Sequence, residues 1–434
     1  MTPSNVVMLV PHDLGQHLGC YGVEAVHSEN IDQLAAVGVR FENSFCTAPQ
    51  CSPSRASIFT GRYPHSNGVM GLTHSDFAWD FNPGERHLSE ILRQAGYHTA
   101  LMDYGHEARR GKEKERFDEI LAGGDGLDRA RHAAAFFQRR KAEEGPFFLE
   151  IPFDETHRGE MGFEAAPDWR DKGIYVPPYI INEASSREEF AGFQGLVRKL
   201  DEAVGHILHG LEEAGLAENT LFVFTSDHGI PFPRAKCSLY DPGMQVPLIL
   251  WQKGAPWANG GVLGPLISNI DYLPTILDYA GIPIPGNVQG RSFAALLRGE
   301  AYEKNPEIFG EMTYHDYYDP RRCIRTRDFK LIVNFSAAPF FMDSSQSWRP
   351  KCITVNPENP SYAYHPPVEL YDLTRDPLEF DNLADAPGYA DKRRALLNRL
   401  YAWMQATQDP LLEGVPVSPM HHMAWKALRA EKGS

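Results

Sequence analysis

The sequence has few cysteines and lacks the short motifs that mark several common classes of binding site. Its 6 cysteines are scattered without a C-x-x-C pair, which excludes a zinc ribbon and a disulfide framework. We therefore expect reduced, mostly structural thiols. A P-loop, a dinucleotide-binding glycine fingerprint, a nucleophile-elbow serine and an H-E-x-x-H helix are also absent from the sequence. The sequence therefore does not favour the enzyme classes that these motifs mark.

Long apolar runs and an excess of positive charge are absent as well. The longest apolar stretches, such as residues 221–225 and 246–251, fall far short of the roughly 20 residues of a membrane-spanning helix. Asp and Glu number 57 against 42 Lys and Arg, and the net charge of −15 would repel nucleic acid and anionic membranes. We expect neither as a partner. Residues 1–5 lack the basic and apolar regions of a secretion signal, which predicts a cytoplasmic protein.

The chain does contain short apolar runs that alternate with helical segments. The β-rich runs lie at residues 6–10, 99–102, 147–153, 221–225 and 246–250. The helical segments lie at residues 31–37, 88–94, 129–141, 189–214 and 270–280, and Gly96, Gly215 and Gly281 suit helix C-terminal caps. Such alternation predicts an α/β fold, with a large mixed, mostly parallel sheet sandwiched by helices.

The character of the sequence changes after about residue 300. Residues 322–334 have the pattern of short, aromatic and Arg-rich strands, and residues 392–407 that of a covering helix. We predict a main α/β domain over residues 1–305 and a smaller C-terminal α+β subdomain with an antiparallel sheet over residues 306–434. Residues 337–367 are expected to form a long ordered loop near a site. Residues after Asp409 are expected to form a tail that packs on a neighbour in a homo-oligomer.

Carboxylates and imidazoles follow four of the predicted strands. They are His12 and Asp13; Asp103, Tyr104 and His106; Asp154, Glu155 and His157; and Asp227 and His228. Any one Asp-His pair is an ordinary turn feature, but ligands of an open parallel sheet bind beyond the carboxyl ends of its strands. Oxygen and imidazole donors together can hold a divalent cation, and the best candidates are Asp13, Asp227, His228 and His12.

A second feature is the segment Cys51-Ser52-Pro53-Ser54-Arg55. Pro53 suits the first turn of a helix and Gly61 its end, so Cys51 or Ser52 would lie at the helix N-terminus, where backbone N–H groups attract anions. Arg55 lies one turn later and can face the same point. This pattern predicts a site for a tetrahedral anion with a nucleophile at its edge. The alternative is a buried thiol beside an ordinary helix cap.

These residues resemble the sulfatase family, within the alkaline-phosphatase-like superfamily. Cys51 to Arg55 with Thr60-Gly61 match its C-x-P-S-R-x-x-x-x-T-G signature. The other matches are Asp13-Leu14-Gly15, Ser226-Asp227-His228-Gly229 and Leu370-Tyr371-Asp372-Leu373, so the likeness spans about residues 5–385. Residues 51–71 and 229–233 look most like the heparan N-sulfatase (sulfamidase) branch and its bacterial relatives.

The resemblance implies a nucleophile and a metal site. Cys51 would be converted by a formylglycine-generating enzyme to formylglycine, the nucleophile of the family, and Arg55 would steady it. One divalent metal, calcium by resemblance, would be held by the set His12, Asp13, Cys51, Asp227 and His228. The family usually has aspartate where this chain has His12, a change that makes manganese or zinc fit better, with magnesium also open.

The resemblance also implies proton-transfer residues. His106 matches the histidine of a G-K-x-H stretch and is our predicted base, while His157 or Lys236 is predicted to protonate the leaving group. Tyr104 stands where the family has a lysine, which removes one cation from the sulfate pocket. A local basic pocket for substrate is predicted to involve His315 and Arg322, with Arg321 and Arg325 nearby.

We therefore expect a hydrolase of sulfate esters or sulfamates. Because the chain carries a net charge of −15, a small or chain-terminal sulfated group fits better than a long sulfated polymer. One alternative is a phosphodiester or phosphonate monoester hydrolase of the same superfamily, since its substrates present a similar anion. Another is a non-catalytic relative that binds a metal or a sulfated ligand without turnover.

Overall fold

The computed structural model describes residues 5–143, 145–159, 163, 170–338 and 364–430. Within these ranges the strands are β1 Asn5–Pro11, β2 Val39–Phe41, β3 Ser44–Phe45, β4 His98–Met102, β5 Glu119–Leu121, β6 Phe147–Phe153, β7 Thr220–Thr225, β8 Leu248–Trp251, β9 Gly261–Leu263, β10 Ile267–Ser268, β11 Glu307–Tyr314, β12 Tyr318–Thr326, β13 Phe329–Asn334 and β14 Val368–Asp372. The helices are α1 Glu29–Val37, α2 Cys51–Thr60, α3 Pro64–Asn67, α4 Leu88–Gln94, α5 Glu113–Arg116, α6 Gly126–Lys141, α7 Ala184–Glu213, α8 Asp241–Met244, α9 Tyr272–Tyr279, α10 Ala294–Leu297, α11 Ala390–Ala406 and α12 Pro419–Ala430.

The main sheet has eight strands in the order β5-β4-β6-β1-β7-β8-β2-β9. Strands β5, β4, β6, β1 and β7 run parallel, whereas β8 is antiparallel to both β7 and β2. This confirms the mixed, mostly parallel sheet. Because β4, β6, β1 and β7 share one direction, their carboxyl ends lie along the same edge.

Helices cover both faces of this sheet. Val7 and Leu9 of β1 belong to a core cluster with side chains of α1, α6 and α7. Val6, Met8 and Val10 point the other way, into a cluster with side chains of α2, α4 and α9. All seven residues of β1 are buried, and residues 6–10 form a continuous apolar run rather than an alternating pattern.

A second sheet follows in the order β11-β12-β13-β14 and is antiparallel throughout. One face packs on α11 through Leu331 and Leu396, and the other packs Cys323 and Tyr371 against Tyr240 of the main region. The antiparallel sheet and its covering helix are confirmed. The division at residue 305 stays a prediction.

Several local predictions differ from the structure, and helix α7, predicted from residue 189, begins at Ala184. The strand predicted at 246–250 begins at Leu248, and part of the predicted tail after Asp409 forms helix α12. Most of the loop predicted at 337–367 lies outside the described residues. Five cysteines lie in the described ranges and all five are free thiols, as expected. Among the described helices, none combines the length and apolarity needed to cross a bilayer.

Candidate active site

Side chains from three of the four predicted strand ends line one cavity of about 560 Å³. His12 follows β1, His106 follows β4, and Asp154 and His157 follow β6. These four line the cavity together with Cys51 from the start of α2 and Lys236 from the loop after β7. The sheet edge and the helix N-terminus, predicted from separate patterns, therefore form one site.

Cys51 occupies the first turn of a helix that has no exposed side. All ten residues of α2 are buried, and the helix ends at Gly61, whose φ of +65° suits glycine. The Cys51 Sγ lies 3.3 Å from His228 Nε2 and 3.8 Å from Asp13 Oδ1. Burial alone would raise the pKa of Cys51, but the charges of Lys236 and His228 hold it well below its ordinary value. The position is thus built for a reactive group.

Asp13 contacts the Lys236 ammonium and the His228 imidazole of the site. It adopts a φ of +53°, a conformation that costs free energy in a non-glycine residue. Its Oδ2 lies 2.8 Å from Lys236 Nζ, and its Oδ1 lies 3.1 Å from His228 Nε2. The His157 Nε2 lies 3.4 Å from Lys236 Nζ, so Lys236 and His157 reach the cavity side by side. Two proton carriers therefore stand next to each other at the cavity wall.

Asp227 accepts hydrogen bonds from both backbone and side-chain donors of the site. Its Oδ1 accepts the backbone N–H groups of Asp13 and His228, each at 2.9 Å. Its Oδ2 lies 2.8 Å from His12 Nδ1 and accepts from Arg55 Nε at 3.1 Å. Arg55 also donates to the Val10 carbonyl at 2.7 Å. The hydrogen bonds of Arg55 thus link α2 to β1 and to Asp227 and keep the site in position.

The turn around His228 depends on a glycine. A Cβ on Gly229 would lie 1.9 Å from the Pro242 carbonyl oxygen, a distance that no real side chain tolerates. The close approach lets the His228 Nδ1 contact the Gly229 carbonyl at 2.9 Å, which directs Nε2 toward Asp13. The glycine of the Ser-Asp-His-Gly turn therefore orients the imidazole.

The donor atoms fit a divalent metal. One ligand atom from each of His12, Asp13, Cys51 and Asp227 lies within 4.8 Å of the others, and all four residues are buried. Two carboxylates with an imidazole give a mixed oxygen and nitrogen donor set, which suits manganese or zinc as well as calcium. With its contact to Asp13 Oδ1, His228 can complete the set.

His74 is a site residue that sequence reasoning missed. Its Nδ1 lies 3.0 Å from His106 Nε2, and both imidazoles line the cavity. Burial lowers the pKa of His106 to about 4, so the ring is neutral and able to accept a proton. His74 follows no predicted strand and belongs to no motif, so only its contact with His106 reveals it. Phe77, Arg110 and Arg158 line the same cavity and were also missed.

The predicted substrate-binding residues divide into one that reaches the cavity and one that does not. His315 lines it, near Asp316. Arg322 is fully buried, donates through Nη2 to Asp409 Oδ1 at 3.0 Å, and lies 3.2 Å from Glu311 Oε2. The prediction for Arg322 was wrong because these two carboxylates satisfy its charge inside the C-terminal region. Arg321 and Arg325 pair with Asp319 and Asp241 instead of lining the cavity.

Arg322→Met is expected to lower the free energy of unfolding by about 3–5 kcal/mol, because it leaves the buried Asp409 carboxylate without its charged partner and Glu311 with only His65. Denaturant-induced unfolding measures this change. The exposed Arg394, paired with Asp391 at 3.3 Å, supplies the control Arg394→Met, for which we expect less than about 1 kcal/mol. Equal stabilities of the two variants would show that the buried network contributes little.

Comparisons with known proteins agree with this geometry. Residues 4–282 match the protein family described as Sulfatase, and residues 232–346 match the family described as N-sulphoglucosamine sulphohydrolase, C-terminal. The chain is 31% identical to human N-sulphoglucosamine sulphohydrolase, over 94% of this chain and 91% of the human protein.

Solved structures share the fold at lower identity. A 2-O GAG sulfatase superposes with a TM-score of 0.73 at 22% identity, covering 95% of this chain and 94% of its own. The phosphonate monoester hydrolase of Agrobacterium radiobacter superposes with a TM-score of 0.70 at 20% identity, covering 96% and 99%. At such identities the likeness concerns the fold alone.

Proposed function

Because the chain belongs to the sulfatase family, we propose that it hydrolyses the sulfate ester or sulfamate of a small or chain-terminal sulfated sugar. The observation that carries this proposal is Cys51, placed at the start of α2 in contact with both Asp13 and His228. A nucleophile, anion-attracting N–H groups and carboxylates able to hold a metal thus meet at one point.

Two groups complete the site in the proposal. Cys51 is converted to formylglycine by a formylglycine-generating enzyme, and a divalent metal is held by Asp13, Asp227, His228 and His12. When present, they supply the attacking oxygen and neutralise charge on the transferred group. The donor set favours manganese or zinc beside calcium, since His12 adds a nitrogen ligand.

The chain's own residues bind the anion and move protons. Lys236 and the N–H groups of α2 face the equatorial oxygens of a sulfate placed at Cys51. His157, 3.4 Å from Lys236, protonates the leaving oxygen or nitrogen. His106 accepts a proton so that inorganic sulfate can depart, and His74 orients it from 3.0 Å. Arg55 touches Asp227 rather than the substrate, so it is a positioning residue.

The cavity limits the size of the substrate. Its volume of about 560 Å³ suits one or two sugar rings rather than a polymer segment. Leu72, Phe77 and Tyr104 supply apolar surface on which a ring can pack, and Arg110 is an exposed cation among the lining residues. The human relative is named for N-sulphoglucosamine, which supports a sulfamate as one of the substrates.

Phosphonate monoester hydrolysis is the second candidate function. Tyr104 occupies the position of a family lysine, so the anion pocket has one cation fewer, and a phosphonate monoester hydrolase shares the fold. Initial rates on an aryl sulfate, N-sulfoglucosamine and an aryl phosphonate separate the two functions. We expect kcat/KM to be higher for at least one sulfated compound, and a preference for the phosphonate would overturn the proposal.

Removing the metal is expected to lower kcat by about 10²-fold or more. A bound cation neutralises charge that develops in the transition state and so stabilises that state by about several kcal/mol. The enzyme is dialysed against a chelator and assayed after addition of calcium, manganese, zinc or magnesium. Recovery with one of these ions identifies the metal. In Asp227→Asn the same additions should restore little activity, whereas full activity after exhaustive chelation would contradict a metal-dependent mechanism.

A further inference from the structure

A second group of metal-ligating side chains lies outside the cavity, in the layer between the main sheet and helices α2 and α4. It consists of Glu150 in the middle of β6, Glu107 next to His106, and His87 at the start of α4. Their exposed fractions are 0%, 2% and 1%. One ligand atom from each lies within 4.8 Å of the other two. His87 stacks on Phe59 and meets Phe117 edge-on, so these neighbours are apolar.

These polar atoms lack hydrogen-bond partners among the described residues. Both carboxylate oxygens of Glu150, Glu107 Oε2 and His87 Nε2 are unpaired. The nearest approach between His87 and a carboxylate is 3.7 Å, from Nε2 to Glu107 Oε1. Buried carboxylates without partners are rare in folded proteins because desolvating a charge is so unfavourable. Burial raises the pKa of both glutamates, so either protons or a bound cation neutralise the cluster.

The hydrogen bonds of His87 fix its ring beside the cluster. The backbone N–H of Ser89 donates to His87 Nδ1 at 3.1 Å in the capping box of α4, so the neutral ring carries its proton on Nε2. A metal ion at Nε2 takes the place of that proton, which moves to Nδ1. There the Ser89 hydroxyl oxygen, 2.7 Å away, accepts it while the hydroxyl donates to the Arg116 carbonyl at 3.0 Å. Nε2 then joins the two carboxylates as a ligand atom.

The neighbouring arginines leave the cluster with excess negative charge. Arg55 and Arg116 act on Glu107 from a distance. Arg55 donates to Asp227 and to the Val10 carbonyl, and Arg116 lies 3.9 Å from Asp80. Arg55 is thus paired with Asp227, and Arg116 shares Asp80 with Lys112. When both glutamates are ionised they carry two negative charges, which one divalent cation neutralises.

We propose that His87, Glu107 and Glu150 bind a second divalent metal ion, of the zinc or manganese class, separate from the metal of the active site. One imidazole nitrogen with carboxylate oxygens is a donor set typical of these ions. The ion joins α4, β6 and the segment that follows β4. Because Glu107 adjoins His106, it also fixes the backbone that presents the predicted base to the cavity.

The test measures metal per chain in the holoenzyme purified from cells supplied with zinc and manganese. Elemental analysis of the wild-type protein should give two equivalents. Crystals measured above and below the zinc and manganese absorption edges should show one anomalous peak among His87, Glu107 and Glu150 and another beside Asp13. A wild-type peak beside Asp13 without one at the cluster would overturn the proposal, whether or not any variant folds.

Single substitutions show which of the two sites binds each equivalent of metal. Glu150→Gln should lose one equivalent and keep the peak beside Asp13, whereas Asp227→Asn should lose the peak beside Asp13 and keep the cluster's ion. Glu119→Gln on β5, which removes a half-exposed carboxylate paired with Arg139, is the matched control and should retain both. If Glu150→Gln keeps the wild-type metal content and stability, the cluster holds a shared proton and the proposal is wrong.

Discussion

Replacing Cys51 with alanine abolishes turnover in our scheme, with kcat falling by at least about 10⁴-fold, as expected when a covalent nucleophile is removed. The Cys51 Sγ contacts His228 and Asp13 and lines the cavity, so the reacting atom must occupy this position. Alanine preserves helix α2 because it has the highest helix propensity. The loss therefore appears in steady-state kcat, while the circular dichroism spectrum stays that of the wild type.

Cys20 supplies the matched control for this prediction. It is a free thiol, half-buried near Asp32 and absent from the cavity lining, so Cys20→Ser should retain wild-type kcat. Mass spectrometry of the tryptic peptide 41–55 from the native host should show an aldehyde in place of the Cys51 thiol. Undiminished turnover by Cys51→Ala, or an intact thiol throughout an active population, would contradict the proposed chemistry.

His106→Ala is expected to release one equivalent of the leaving alcohol per active site and then stall. The attack on sulfur relies on Lys236 and His157, which the substitution leaves in place, whereas release of sulfate relies on the base at position 106. Loss of a general base lowers the rate of its step by about 10²–10⁴-fold. Stopped-flow measurement with a chromogenic aryl sulfate should show a burst followed by a slow phase.

The control for the burst is a histidine remote from the cavity. His209 on α7 pairs with Glu213 and is exposed, so His209→Ala should give the wild-type progress curve. A second comparison uses His106→Gln, whose amide keeps the contact with His74 but accepts protons poorly. It should also stall. Linear product release at the wild-type rate in His106→Ala would assign the proton transfer to another residue.

Much of the fold was predictable because its signals are local. The helix from Cys51 follows from Pro53 and Gly61, which favour the first turn and the end of a helix wherever they occur. The parallel strands are apolar runs because both faces of the sheet are covered, and this burial is visible in composition. Strand β8 was predicted as a strand, but its antiparallel direction depends on the route of the chain and required the structure.

Part of the site was predictable for a topological reason. Asp13, His106, His157 and Asp227 each follow a strand, and strands that run parallel bring the residues after them to one edge. His74 has no such position, and its contact with His106 joins residues 32 apart in the sequence. Arg322 was misplaced because nothing near it in the sequence indicates Asp409, 87 residues away.

The amino-acid sequence by itself indicated five strands of the main sheet, the helices between them, the position of Cys51 at a helix N-terminus and the set of strand-end donors. These depend on spacing over a few residues, where steric preference and hydrogen bonding act locally. Only the tertiary structure decided which arginine is buried, which histidine supports His106, and that His87, Glu107 and Glu150 converge away from the cavity. Such pairings depend on how distant segments pack. A buried charged side chain finds its partner only when the whole fold has formed.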